Sequence, residues 1–209
     1  MTGIQTLVAA ATPARPPHRP NRLLRAGLIA GPVFVATVLA QQTFRDGDDP
    51  MRHPVTALAL GPGGWVRVTG FAIAGLLGLA FALGLRRALR PGPGAFAGPL
   101  LVAVWSVGLI GAGLFPADAV DGHPAGALAF WLPARIALAA AMFVLAHADA
   151  RRHRPAWASC SLVSGIVFAA LVVLTSTGSA PHPWLAGAGW LWAALIAARE
   201  MRAAPAGPR

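Results

Sequence analysis

Six stretches of mostly apolar sequence, at 23–41, 66–85, 95–115, 127–146, 156–177 and 184–198, dominate this chain. About 20 such residues wound into a helix cross the hydrocarbon of a bilayer. Backbone N–H and C=O groups find no water there, so only helices or a closed barrel satisfy them. None of the stretches shows the two-residue alternation of a barrel strand. The expected fold is therefore all-α: a polytopic membrane protein, a bundle of six transmembrane helices. The sixth stretch is the shortest and is expected to tilt little or to sit where the bilayer is thin.

The composition agrees. Only 11% of the residues are charged and 56% are hydrophobic, whereas a soluble domain is about one quarter charged. A disordered chain is excluded by the same numbers. One cysteine, Cys160, excludes an internal disulfide framework and any multi-cysteine metal site. It falls inside the fifth stretch and is expected to be an inert buried thiol.

Orientation is read from the arginines, since the chain has no lysine. Arg15, Arg19, Arg22 and Arg25 precede the first stretch. Arg86, Arg87 and Arg90 lie between the second and third, Arg151, Arg152 and Arg154 between the fourth and fifth, and Arg199, Arg202 and Arg209 after the sixth. With six spans, all of these share one side. Arg45, Arg52 and Arg67 fall on the other side, with Asp46, Asp48, Asp49, Asp118 and Asp121. Cytoplasmic loops carry the positive excess, so both termini are expected inside (N-in/C-in) in a multi-pass protein of the cell membrane. Residues 1–22 and 199–209 are expected to be disordered cytoplasmic tails flanking a transmembrane domain at 23–198. Residues 6–11 are too short, and lack the basic flank, for a signal peptide. The net charge of +10 is then a matter of topology with weak attraction to anionic lipid, and no nucleic-acid partner is expected.

Three outer connections follow from this topology, and each holds one His-Pro pair: His53-Pro54, His123-Pro124 and His182-Pro183. Ala30-Gly31-Pro32 and Ala97-Gly98-Pro99 also match, as do Phe44, Asp46, Asp49 and Phe115, Asp118, Asp121 in the connections that follow. A duplicated hairpin would place Pro32 and Pro99 at equivalent depths. Gly27 and Gly31 form a small-xxx-small face suited to close helix contact and to a homo-oligomer. The tryptophans fall mostly near the ends of the stretches, as an interfacial belt does, with Trp105 an exception.

Polar chemistry concentrates on the outer side. The Asp-rich run from Thr43 to Pro54 lacks the spacing and the bidentate glutamate of a calcium loop and reads as a solvated turn region. The segment 55–60 is either a short re-entrant helix or an extended loop, and ends at a Gly-rich turn before Trp65. His53, His123, His182, Asp118 and Asp121 suit a transition metal or an acid–base pair. No His-x-x-x-His or Cys/His cluster accompanies them, so no metal and no cofactor is expected.

Arg135 is the sharpest single residue. It stands about eight residues into the fourth stretch, roughly 12 Å deep at 1.5 Å per residue. A charge at that depth marks function by default, with Asp118 or Asp121 as its expected partner. The competing reading is a span that starts later, with Arg135 snorkelling to the interface.

At the first outer connection the run Asp49-Pro50-Met51-Arg52-His53-Pro54-Val55-Thr56-Ala57-Leu58-Ala59-Leu60-Gly61-Pro62-Gly63-Gly64-Trp65, continuing into Gly70-Phe71 and Gly75-Leu76-Leu77, resembles the bacterial "domain of unknown function 998" family. Phe115-Pro116-Ala117-Asp118 matches a second, shorter element of that family. Thr56 stands where the family pattern has serine, and a histidine expected early in the fourth helix is missing, with Trp131 and Arg135 nearby instead. The resemblance spans residues 23–198 and implies a six-helix integral membrane protein. It supplies no activity.

Two functions compete. One is a membrane protein that holds a small hydrophobic, lipidic or anionic ligand in an outer-facing pocket, with Arg135, Asp121, His123, Arg52 and Trp65 against it and membrane lipid around it. The other is an intramembrane enzyme acting on a lipid or isoprenoid, with Asp118, Asp49 and His53 as catalytic groups and Arg135 as anion anchor. A transporter is the weaker third, because no carboxylate falls within the six stretches.

Overall fold

The computed structural model describes residues 22–42, 64–115, 125–177 and 182–203. Six α-helices account for nearly all of them: α1 (Arg25–Gln42), α2 (Gly64–Leu89), α3 (Ala97–Leu114), α4 (Ala125–Arg151), α5 (Pro155–Ser176) and α6 (His182–Ala203). A single 3-10 turn, Arg22–Leu24, leads into α1. Each apolar stretch thus contains a helix. Five of the six, α1 to α5, are long and apolar enough to cross a membrane, so the chain is a multi-pass, all-helical membrane protein.

Each helix packs on the next, and α6 returns to α1. The register of glycine contacts gives the direction. On α2, Gly70 faces Thr37 and Gly84 faces Leu24, so α1 and α2 run antiparallel. Gly113 of α3 faces Phe71 and Gly78 of α2 faces Ser106, so α2 and α3 do too. Gly27 and Gly31 of α1 face Ala197 and Trp190. The start of α1 and the end of α6 therefore share one end of the bundle.

Close approach of backbones holds the α2–α3–α4 side together. A Cβ added at Gly75 would lie 2.8 Å from the carbonyl oxygen of Ser106, and one at Gly108 would lie 3.0 Å from that of Phe130. Small residues permit this contact, which replaces the hydrophobic drive that lipid cannot supply between helices. Gly27 and Gly31 do the same inside the chain. Their face is occupied by Phe81, Trp190 and Ala197, so the expected route to a homo-oligomer is already used for intramolecular packing.

Of the six helices, α6 departs most from its sequence reading. Residue 198 falls inside the helix, which continues through Arg199 and Glu200 to Ala203. It lies against α1 and α5 and reaches α2. It also touches α3 through Trp105 and Trp190 and α4 through Leu138 and Gly189. Its buried residues include Trp192, Ala193, Ile196, Ala197, Arg199 and Glu200. A helix that turns its polar groups into its own bundle is not held to the hydropathy of one that presents them to lipid, provided those groups find partners.

Three further expectations are corrected. Pro32 lies in the interior of α1 while Pro99 is the third residue of α3, so the two prolines are not at equivalent depths. Trp190 and Trp192 are core residues at 5% and 1% exposure, not members of a belt. Cys160 is partly exposed instead of buried.

Candidate functional site

Arg135 is the eleventh residue of α4, so it stands about 15 Å along the helix at 1.5 Å per residue. Two positions earlier, Pro133 sits inside the helix. It has no N–H to donate to the carbonyl of Ala129, and the ladder is open at that point. Residues four apart share a helix face, and the Arg135 guanidinium carbon lies 5.4 Å from the centre of the Trp131 ring. That is cation–π distance.

Trp131 begins a row of rings through the bundle. It meets Phe71 of α2 edge-on at 5.8 Å, and Phe71 meets Phe34 of α1 at 5.0 Å. Phe34 meets Trp190 of α6 at 5.7 Å, and Trp190 meets Trp105 of α3 at 4.5 Å. Five helices each contribute one ring. Trp105 therefore fills the core in this row.

The Nε of Arg135 and the Nε1 of Trp131 are both buried, and neither donates a hydrogen bond to any of the described residues. A buried donor left unsatisfied costs about 1–3 kcal/mol. Asp149 and Glu200 are the only carboxylates among the described residues, and both are engaged elsewhere. The pair thus offers two donors, a cation and an aromatic face, and no acceptor. Its chemical complement is an oxygen acceptor, strongest as an anion.

Of the other residues singled out in the sequence, Trp65 stands 73% exposed in the first turn of α2, the position of an interfacial anchor. Asp49, Arg52, His53, Asp118, Asp121 and His123 lie outside the described residues.

A second charged cluster was not anticipated as a cluster. At the far end of α4, Asp149 is 14 residues and so about 21 Å beyond Arg135. The Arg199 guanidinium of α6 donates to Asp149 Oδ2, and its other terminal nitrogen lies 2.6 Å from Glu200 Oε1. All three side chains are at most 6% exposed. Arg199 also lies over the Trp157 ring of α5 at 5.3 Å, and Arg154 approaches Glu200 at 3.9 Å. The contact of Arg199 with Glu200 is close but not a directed hydrogen bond. Adjacent residues on a helix do not face one another, so charge attraction and not aligned bonding holds this pair.

The sequence contained a signal for this cluster. The run Ala146-His147-Ala148-Asp149-Ala150 favours continued helix, which carries Asp149 along the face that α6 covers. Asp149 belongs to the candidate span Ala129–Arg151, which corrects the premise that no span holds a carboxylate. Its charge is nonetheless committed to Arg199.

The family model described as "Protein of unknown function (DUF998)" matches residues 28–199. The chain belongs to the DUF998 family. The match runs from α1 into the last turns of α6, so both Arg135 and the Asp149–Arg199 pair lie inside the DUF998 region. No curated protein and no solved structure matches the chain. DUF998 membership accords with the motif from Asp49 to Trp65 and carries no assigned activity.

Proposed function

We propose that this DUF998 protein crosses the membrane six times with both termini in the cytoplasm, and holds a small or lipidic ligand in the outer half of the bundle. The observation that carries the ligand is the pair of buried donors at Arg135 and Trp131 with no acceptor among the described residues. An anionic or carbonyl oxygen supplied by the ligand would satisfy both, while its apolar part lies against Phe71 and the membrane. The sixth crossing is supported by the neutralisation of Arg199 by Asp149, which removes the main charge cost of placing α6 in the bilayer. The orientation is supported by the arginines gathered at the end of the bundle where α1 starts and α6 finishes.

Native mass spectrometry of the protein purified in mild detergent tests the ligand. A bound small molecule or lipid is expected on the wild type and lost from Arg135→Leu with the fold intact. If the wild type carries nothing, and Asp118→Asn destabilises the protein as much as Arg135→Leu does, Arg135 serves an internal ion pair and the ligand is refuted. Reporter fusions at the two termini test the topology. Reporters active on opposite faces would overturn it.

A further inference from the structure

We infer that the arginine-bearing end of the bundle is a docking site for the headgroup of an anionic phospholipid, built from Arg25 of α1, Arg87 and Arg90 at the end of α2, and Arg151 of α4. This is independent of the site at Arg135, which lies toward the other end of α4.

Packing brings the elements that carry these residues to one end of the bundle. The backbone of Leu23 and Leu24 lies against Gly84, one turn before Arg87, so α1 begins beside the last turns of α2. Arg152 reaches across from the end of α4 and donates to the carbonyl oxygens of Leu89 at 2.7 Å and Pro93 at 3.1 Å. Arg151, the residue before it, closes α4 at the same end of the bundle. Arg152 is thereby occupied, as is Arg86, which lies over the Phe96 ring at 5.6 Å. Arg25, Arg87, Arg90 and Arg151 are exposed and make no ion pair among the described residues.

The missing counter-charge is the second observation. Both described carboxylates, Asp149 and Glu200, are turned inward and held by Arg199, so neither pairs with these four guanidinium groups. Guanidinium pairs with phosphate in a forked, directed way. In a helix bundle that crosses a bilayer, the end of a spanning helix lies at headgroup depth. The anion met there is a lipid phosphate, and each arginine at such a surface adds attraction to anionic lipid.

The full-length protein in detergent is mixed with equal amounts of phosphatidylglycerol and phosphatidylcholine, and retained lipid is read by native mass spectrometry. Phosphatidylglycerol is expected to be retained about tenfold more, and the triple variant Arg87→Gln/Arg90→Gln/Arg151→Gln is expected to bring the ratio within about twofold of unity. Soluble glycerophosphate at the same concentration is expected not to compete, because lipid is held by its chains as well as its phosphate. Equal retention of the two lipids by the wild type overturns the proposal. So does a folded triple variant that keeps the preference, or displacement by glycerophosphate. Should the triple variant fail to fold, Arg90→Gln alone is expected to lower the ratio about threefold, and no change there overturns the proposal as well.

Discussion

Arg199 donates a hydrogen bond to Asp149 across fifty residues of sequence, from inside α6 to the last turn of α4. Both side chains are nearly inaccessible. The bond joins the one helix that falls short of a membrane-crossing composition to one that meets it. It also accounts for a polar dipeptide, Arg199-Glu200, continuing a helix instead of ending it.

Removing one partner of a buried ion pair leaves the other charge uncompensated, at a cost of about 3–5 kcal/mol. Glu200 stays beside Arg199, so Asp149→Leu is expected near the low end, about 3 kcal/mol. Denaturation in detergent, followed by tryptophan fluorescence, measures it. A double-mutant cycle of Asp149→Asn and Arg199→Gln is expected to give a coupling above about 1 kcal/mol.

The two glycine environments differ in sign. Gly108 faces Ala134 and Phe130 so closely that a methyl group has no room, and Gly108→Ala is expected to destabilise by about 1–3 kcal/mol through overpacking. Gly187, in α6, has nothing within 4 Å of an added Cβ. Gly187→Ala is expected to stabilise by up to about 1 kcal/mol from helix propensity. Thermal unfolding of the two variants in the same detergent distinguishes them.

Trp190 joins two segments of the ring row, against Phe34 on one side and Trp105 on the other. Trp190→Ala is expected to cost about 3–5 kcal/mol, and Trp190→Phe distinctly less. Trp65→Ala, at an exposed position, is expected to leave unfolding nearly unchanged. Chemical denaturation of the three variants checks the order.

Arg152 holds the connection between α2 and α3 through two carbonyl oxygens. Arg152→Met keeps the apolar stem and loses both bonds. Hydrogen bonds from a charged donor contribute about 1.5–3 kcal/mol when sheltered, and partial exposure here reduces that to about 1 kcal/mol. Limited proteolysis between Arg90 and Phe96 is expected to accelerate severalfold in the variant.

Much of this architecture is legible in the sequence because lipid imposes a simple rule: a helix facing it must be apolar. All six stretches contain helices, and the alternating arginines mark one end of the bundle. What escaped was the interior, where that rule does not apply. Asp149, Arg199 and Glu200 each look like the edge of a span when hydropathy counts charges singly, yet the three pack together in the interior of the bundle with Asp149 against Arg199. Trp190 and Trp192 fall in the middle of the apolar stretch 184–198, and α6 turns both inward. Arg135 was recognisable because a lone charge inside a span stands out. Its stacking on Trp131, and the two orphan donors, depend on rotamers that spacing does not give.

Among the helices, α5 turns Leu162, Val163, Ile166, Val167, Val173 and Leu174 outward and buries only Ser161, Gly165, Phe168 and Thr175. Its tether to α6 is a short polar stitch, Trp192 Nε1 donating to Ser161 Oγ at 3.3 Å, together with the ring of Trp157 under Arg199. Where the surrounding oil is swapped for a micelle, this wall of the barrel loses more of its neighbours than any other, and the order in which the molecule comes apart will reflect the medium as much as the chain.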